Sequence, residues 1–146
     1  MVTCTTADAS PAASDYARIL YRTEGQNLQD LAYGAASAKV VTVSFWVKSN
    51  KTGASSFEII ADGPTQRQYS VTYTINVANT WEYKTVTIPG DISGGIDNDN
   101  LSGMQIAWWL NSGSTFTGGT TQDWGSIVNA NRNSSNLGLG GAVSDY

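Results

Sequence analysis

The sequence is poor in the side chains that most enzymes use for acid–base or nucleophilic chemistry. Its 146 residues include no histidine and a single cysteine, Cys4. This excludes Ser-His-Asp and Cys-His arrangements and removes the commonest zinc ligand. Paired carboxylates, as in glycoside hydrolysis, remain. The chain has 12 acidic residues, but they stand in loops or singly on predicted strands, as Glu58 and Glu82 do, and no spacing selects a pair. We therefore expect solvated carboxylates and predict that the protein is not an enzyme.

Two tryptophans have the chemistry of a sugar-binding surface. Trp46 and Trp109 each lie on the face of a predicted strand that is opposite to its core-facing side. Flat aromatic rings pack against the C–H faces of sugars, while amide and charged groups hydrogen-bond the hydroxyls. The alternative, which we favour, is that the two rings form a second small core beneath residues 112–146. The polar side chains expected on the same side are Arg18, Arg22, Gln68 and Gln105.

A short acidic loop is the best candidate for a metal site. Asp97 and Asp99 alternate with asparagines, and hard oxygen donors of this kind suit calcium. The EF-hand pattern fails at the fifth position, which is Leu101, and no glutamate follows at the twelfth. The alternative is that these side chains accept hydrogen bonds from the backbone of a tight loop. The pattern favours the loop, and calcium is the one cofactor that the sequence suggests.

The elements that must position these side chains are strands. In residues 40–48, Val41, Val43, Phe45 and Val47 fall on one face of an extended chain and Trp46 on the other. A period of two built from β-branched and aromatic residues is typical of a half-buried antiparallel strand. We predict a central strand of a two-layer β protein, with other strands covering its Val/Phe face.

The same alternation recurs along the chain. Further strands are predicted at residues 16–23, 56–61, 66–77, 81–88 and 101–111, with a short one at residues 1–6. Trp108 is expected in the core, as are Trp81 and Trp124, and a weak periodic patch at residues 122–131 predicts a turn of helix. Roughly seven strands at this spacing indicate an all-β fold, an antiparallel β-sandwich or jelly roll, in one domain over residues 1–146.

Charge and hydropathy restrict the partners. The net charge is −4, and the eight basic residues are scattered singly, so nucleic-acid binding is not expected. No apolar run approaches the length of a membrane span, and the N-terminus carries no basic or apolar region of a secretory signal. We predict no membrane insertion. If the protein acts outside a cell, we expect its release by lysis.

Several segments also carry a resemblance to a known group of domains. They are residues 43–53, the tryptophan–polar–Thr-Val-Thr strand at residues 80–90, residues 24–28, residues 95–100 and residues 108–110 with Gly113 and Ser114. Together they resemble carbohydrate-binding-module-like jelly-roll domains in structural proteins of tailed bacteriophages of marine type. Such domains occur in tail fibres, head fibres and related surface proteins of virions. In them a final strand follows the segment that matches residues 144–146, so here either the polypeptide is longer or a partner chain fills that edge.

The resemblance implies a function in assembly. The expected protein is a non-enzymatic virion structural domain of tail-fibre, head-fibre or capsid-decoration type, with adhesion to host-surface glycans as a further role. Its implied partners are other virion proteins, copies of itself and host glycans, and its implied location is the virion. The alternative is a carbohydrate-binding module of a larger secreted glycan-active protein. Open, coplanar Trp46 and Trp109 rings would favour glycan recognition, and burial of both would oppose it.

Overall fold

The computed structural model describes residues 2–141, which form seven strands and two 3-10 helices. The strands are β1 (Tyr16–Glu24), β2 (Val41–Val47), β3 (Gly53–Ala61), β4 (Arg67–Ile75), β5 (Glu82–Ile88), β6 (Ser102–Ser112) and β7 (Gln122–Ser126). The 3-10 helices are Gly25–Leu31 and Asn129–Asn131. Neither helix is long and apolar enough to cross a membrane. The expected final strand beyond residues 144–146 lies outside the described residues.

The strands form two antiparallel sheets packed face to face, which confirms the all-β sandwich. One sheet has five strands in the order β1-β6-β3-β4-β7, and the other consists of β2 and β5. The chain passes from one sheet to the other between β1 and β2, β2 and β3, β4 and β5, and β5 and β6. These crossings make the sandwich jelly-roll-like, because strands that are adjacent in sequence often lie in opposite layers.

The strand predicted to be central lies instead in the smaller sheet. Within the described residues, β2 pairs only with β5, from Val41 opposite Ile88 to Val47 opposite Glu82. Its predicted faces are correct, since Val41, Val43, Phe45 and Val47 are half-buried and the residues between them are exposed. Alternation reports which face of a strand is buried, whereas the number of neighbours depends on pairing with distant segments.

The main core lies between the two sheets. It is built from Phe57 and Ile59 of β3, Tyr73 and Ile75 of β4, Val86 and Ile88 of β5, and Met104 of β6. Phe45 reaches it from β2 and packs edge-on against Tyr73 and Trp108, with centroid distances of 5.1 and 5.5 Å. The predicted inward face of β6 is therefore correct.

The two remaining tryptophan predictions have different outcomes. Trp124 is half-buried and packs against Tyr33 and Tyr69, with centroid distances of 5.6 and 5.7 Å. Trp81 is 63 % exposed, so its predicted place in the core is wrong. It shares the outward parity of Tyr83, since Val86 and Ile88 are the buried residues of β5. The predicted helical turn at residues 122–131 is also wrong in its first half, because residues 122–126 pair with β4 as β7. The short strand predicted at residues 1–6 does not form within residues 2–6.

Candidate functional site

The two tryptophans predicted to share one surface lie on different sheets. Trp46 projects from the outer face of β2, and Trp109 projects from the outer face of β6 in the five-stranded sheet. Because the main core lies between the sheets, these two outer faces are opposite sides of the sandwich. The predicted common sugar-binding platform is therefore wrong, and each tryptophan has to be considered in its own surroundings.

Trp109 belongs to a second core on the outer face of the five-stranded sheet. It is 1 % exposed and packs against Phe116 and Tyr16, with centroid distances of 5.4 and 5.8 Å. Phe116 and Arg132 come from the long segment that follows β6 and folds back over this face. The structural interpretation of Trp109 is thus correct, and its ring is not available to a sugar.

A buried carboxylate lies at the centre of this second core. Glu58 is 1 % exposed, and its Oε1 accepts a hydrogen bond from Arg132 Nε at 2.8 Å. Its Oε2 accepts hydrogen bonds from Trp109 Nε1 at 3.0 Å and from a terminal guanidinium nitrogen of Arg132 at 3.2 Å. A terminal nitrogen of Arg18 lies 3.6 Å from the same oxygen. The expectation that Glu58 is solvated is wrong.

The two arginines also contact the aromatic rings. The Arg18 guanidinium carbon lies 5.2 Å from the Tyr16 centroid and 5.4 Å from the Trp109 centroid, and that of Arg132 lies 5.3 Å from the Trp109 centroid. Burial, and then the positive charge of Arg132, lower the pKa of Arg18. Partly desolvated guanidinium groups over indole rings are a favourable cation–π arrangement. Glu58, Arg18, Arg132 and Trp109 therefore form one closed unit, which we call the outer cluster.

The chemistry of the outer cluster is structural. The Glu58 side chain is sealed from solvent, and its oxygens are occupied by donors from Arg132 and Trp109. A glycosidase needs a second carboxylate at about 5–10 Å and room for a sugar or water between the two. The groups packed around Glu58 are instead cations and aromatic rings.

The other residues predicted for a glycan site are dispersed over the five-stranded sheet. Gln68 is buried, and its Oε1 accepts a hydrogen bond from the Val128 backbone N–H at 2.8 Å. Gln105 donates to the Asp62 carboxylate at 2.7 Å. Arg22 is exposed and lies directly across from Gln105 in the pairing of β1 with β6. None of these three shares a face with Trp46.

The acidic loop is organised by its own hydrogen bonds. The Asp99 carboxylate accepts from the Leu101 backbone N–H at 3.0 Å, and the Asp99 backbone carbonyl accepts from Gln26 N–H at 2.8 Å. The Asp97 carbonyl accepts from the Gln29 side chain at 3.2 Å. Between residues 2 and 141, no group of three or more acidic or cysteine side chains could hold a metal ion. The calcium prediction therefore gains no support from the geometry.

An open aromatic surface exists, but on the two-stranded sheet. Trp46 is 64 % exposed and lies directly across from Tyr83, which is 57 % exposed, with a centroid distance of 5.4 Å and an interplanar angle of 55°. Trp81 is exposed two residues before Tyr83, on the same parity. We call Trp46, Trp81 and Tyr83 the aromatic face. The favoured placement of Trp46 in a second core is therefore wrong, because its ring is open to solvent. Trp46 is the only member of this face whose sequence pattern indicates ligand binding.

Hydroxyl groups continue the aromatic face along the same side of the sheet. Thr42 and Thr87 are paired, and their side-chain oxygens are 3.4 Å apart. Ser44 and Thr85 form the next exposed pair towards Trp46. The outward positions of the paired strands thus carry two aromatic rings and four hydroxyls, without a carboxylate. Such a surface offers flat apolar contact and uncharged hydrogen-bonding groups side by side.

A carboxylate on the opposite parity holds this surface in place. Glu82 accepts hydrogen bonds from the backbone N–H groups of Asn76 and Val77 at 2.9 and 2.8 Å and from Lys84 Nζ at 2.6 Å. The hydrogen bonds from Lys84 and then from Val77 lower the pKa of Glu82 from its ordinary value of 4.5 to about 2. Because Glu82 lies between Trp81 and Tyr83, this anchor holds the start of β5, the part of the chain from which the two rings project.

Comparison with known proteins gives no match of any kind. No family model, no curated protein and no solved structure matches this chain.

Proposed function

We propose that this chain is a non-enzymatic structural domain of a bacteriophage virion, displayed on the particle surface, and that it binds host-surface glycans through the aromatic face. The observation that carries the glycan-binding part is the exposed Trp46–Tyr83 pair, held on two hydrogen-bonded strands. The virion part rests on the sequence resemblance. The two longest segments of that resemblance, residues 43–53 and 80–90, contain most of β2 and all of β5, the two strands that build this surface.

The geometry suits a ligand with a flat apolar side and hydroxyl groups. A sugar ring can lie against the Trp46 indole with its C–H groups while its hydroxyls reach Ser44, Thr85 or Thr42. The paired outward positions bring no carboxylate to this face, so neither a neutral nor an anionic stretch of polysaccharide meets a negative charge at these positions. Because the rings stand on strands, little ordering of the protein is needed when a ligand binds.

Multivalent display would make weak single contacts sufficient. An exposed aromatic pair with a few hydroxyls offers a small contact area, so a single copy is expected to bind a sugar weakly. Many copies on one particle convert weak contacts into firm attachment, because each further contact forms at high effective concentration. Copies of the chain and other virion proteins are accordingly its proposed partners.

Binding to immobilised polysaccharides tests the glycan-binding part. Beads carrying many copies of the domain are applied to an array of bacterial surface polysaccharides and neutral glucans. We expect retention on some of these glycans, and Trp46→Ala should reduce it about tenfold or more, since stacking on one aromatic ring contributes roughly that much. Tyr83→Ala should also reduce it.

A matched control separates loss of the surface from loss of the fold. Tyr21 is 58 % exposed, nearly the same as Tyr83, but it lies on the other sheet. Tyr21→Ala should therefore leave retention unchanged. Equal retention of the Trp46→Ala and Tyr21→Ala proteins, or no retention on any glycan, would overturn glycan binding.

Labelling of particles tests the virion part independently. An antibody raised against the recombinant domain should decorate the surface of purified virions of a phage that encodes it, as seen by electron microscopy. Labelling restricted to infected cells, with bare particles, would refute the virion assignment and leave the glycan measurement unaffected.

A further inference from the structure

The two sheets differ in width, and this leaves part of the larger sheet uncovered. Neighbouring strands are about 4.8 Å apart, so two strands span less than half the width of five. Trp124 of β7 donates to the Pro89 carbonyl at 2.7 Å, which places the end of β5 beside β7. Phe45 of β2 packs on Trp108 of β6. The edge of β2 that β5 does not occupy therefore faces β1.

The inward side chains of β1 are exposed because no strand of the described chain lies over them. Ile19 pairs with Trp108 and Tyr21 pairs with Ile106, and both partners pack on the main core, so Ile19 and Tyr21 face inward. They are nevertheless 45 % and 58 % exposed. Apolar side chains on the inner face of a sandwich are normally covered by the opposing sheet.

An apolar cleft fills the space between β2 and β1. Its volume is about 460 Å³, and its walls include Ile19, Phe45, Trp108, Leu110, Leu139 and, from the N-terminal segment, Val2. Trp46 and Trp81 lie at its rim on the β2 side. The cleft is thus bounded by apolar side chains on one side and by a strand edge on another. That edge presents backbone N–H and C=O groups.

The described chain has no strand left to occupy this position. All seven strands of residues 2–141 already belong to one of the two sheets, and β2 has β5 as its one strand partner there. The position next to β2 has the properties of a missing strand, since it combines backbone groups for a ladder with apolar contacts at every second residue. A compact apolar ligand would fill the cleft without pairing with the backbone groups of this edge.

We propose that this cleft accepts one extended strand of a partner polypeptide, which pairs with the free edge of β2 and inserts every second side chain against Ile19, Trp108 and Leu110. The partner segment is apolar at alternate residues and polar at the others. This is strand addition to a sheet edge, in which main-chain hydrogen bonds provide affinity and the pockets for alternate side chains provide specificity. It differs from glycan binding, which uses the outer face of β2, although Trp46 and Trp81 of the aromatic face lie at the rim of the cleft.

A pair of synthetic peptides tests the chemistry of the occupant. The probe is acetyl-Lys-Thr-Val-Thr-Ile-Thr-Val-Lys-amide, and the control is acetyl-Lys-Val-Ile-Val-Thr-Thr-Thr-Lys-amide, which has the same composition without the alternation. Hydrogen exchange of the 146-residue chain is followed by NMR. We expect that every second amide of β2 exchanges rapidly in the free chain, that the probe slows these amides about tenfold or more, and that the control peptide does not.

Variants of the protein locate the site. Ile19→Lys changes a half-exposed side chain in the cleft wall and should weaken probe binding about tenfold, as expected for the loss of one aliphatic contact. Tyr83→Ala, on the outer face of the same small sheet, should bind the probe like the unchanged protein. Unaltered protection of β3 amides in both variants shows that the fold is retained.

Three outcomes would overturn the proposal. Slow exchange of every β2 amide in the dilute free chain would mean that the polypeptide itself fills the position. Slow exchange that develops only as the chain concentration rises, together with a dimeric mass, would mean that a second copy fills it. Equal binding of both peptides would mean that the cleft accepts apolar groups without forming a strand ladder.

Discussion

Glu58 connects parts of the chain that are far apart in sequence. Arg132 lies 74 residues away and Trp109 lies 51 residues away, yet both donate to its carboxylate. Removing one partner of a buried ion pair costs more than forming the pair contributes, because the remaining charge stays desolvated. The outer cluster should therefore be sensitive to any single change and tolerant of a compensated double change.

The first prediction concerns Arg132→Met. This substitution leaves Glu58 buried beside Trp109 with only the longer contact to Arg18, and should lower the free energy of unfolding by about 3 kcal/mol. Urea denaturation measures the loss. The exposed Arg22→Met serves as control and should change stability by no more than about 0.5 kcal/mol. The double variant Glu58→Gln/Arg132→Met should recover much of the loss; if it is less stable than Arg132→Met alone, the desolvated-charge explanation is wrong.

The start of β5 depends on one carboxylate that accepts several hydrogen bonds. The folded-state pKa of Glu82 is about 2, below its ordinary value of 4.5. A carboxylate whose pKa is lower in the folded state than in the unfolded state stabilises the fold at pH values above its unfolded-state pKa. This stabilisation is lost as the pH falls through the folded-state pKa. The stabilisation is thus complete near pH 7 and disappears between about pH 4.5 and 2.

Glu82→Gln tests this anchor. At pH 7 the variant should melt at a lower temperature than the unchanged protein, and the difference should shrink towards zero as the pH approaches 2. Thermal unfolding at a series of pH values measures it. Added salt should reduce the difference in part, because the Lys84 contact is screened whereas the backbone N–H groups of Asn76 and Val77 are not charged. A difference that is constant with pH would rule out the ionised carboxylate as its source.

The strands of this sandwich differ in how well they are buried. β3 lies in the middle of the five-stranded sheet, pairs with both β4 and β6, and has its last seven residues buried. It contacts the main core on one face and the outer cluster on the other. β2 pairs with β5 alone within the described chain, and its outward residues are exposed. Local opening requires less free energy where fewer buried contacts are lost.

Native-state hydrogen exchange across the whole chain should show this order. The amides of β3 and the central part of β6 are expected to exchange slowest, by global unfolding. The amides that join β2 to β5 should exchange earlier, in one sub-global opening. Low concentrations of urea should accelerate the slow class strongly and the β2–β5 class only weakly. Equal urea dependence of both classes would mean that the two sheets open together.

Much of the fold can be predicted from the sequence because alternation is a local property. The inward residues of β2 and β6 follow from the period of two, since successive side chains of an extended chain point to opposite sides whatever surrounds them. The all-β class and the core position of Trp108 follow in the same way. The absence of histidine likewise restricts the available chemistry without any knowledge of the fold.

The assignment of strands to sheets is decided by the tertiary structure. Trp46 and Trp109 have the same outward pattern, but one strand lies in the small sheet and the other in the large one, so the first ring is open and the second is buried. The burial of Glu58 depends in the same way on a segment more than 70 residues later that folds back over β3. Such outcomes rest on pairing and packing between distant segments. Local periodicity carries no information about these long-range contacts. It is the long-range contacts that separate the aromatic face from the outer cluster.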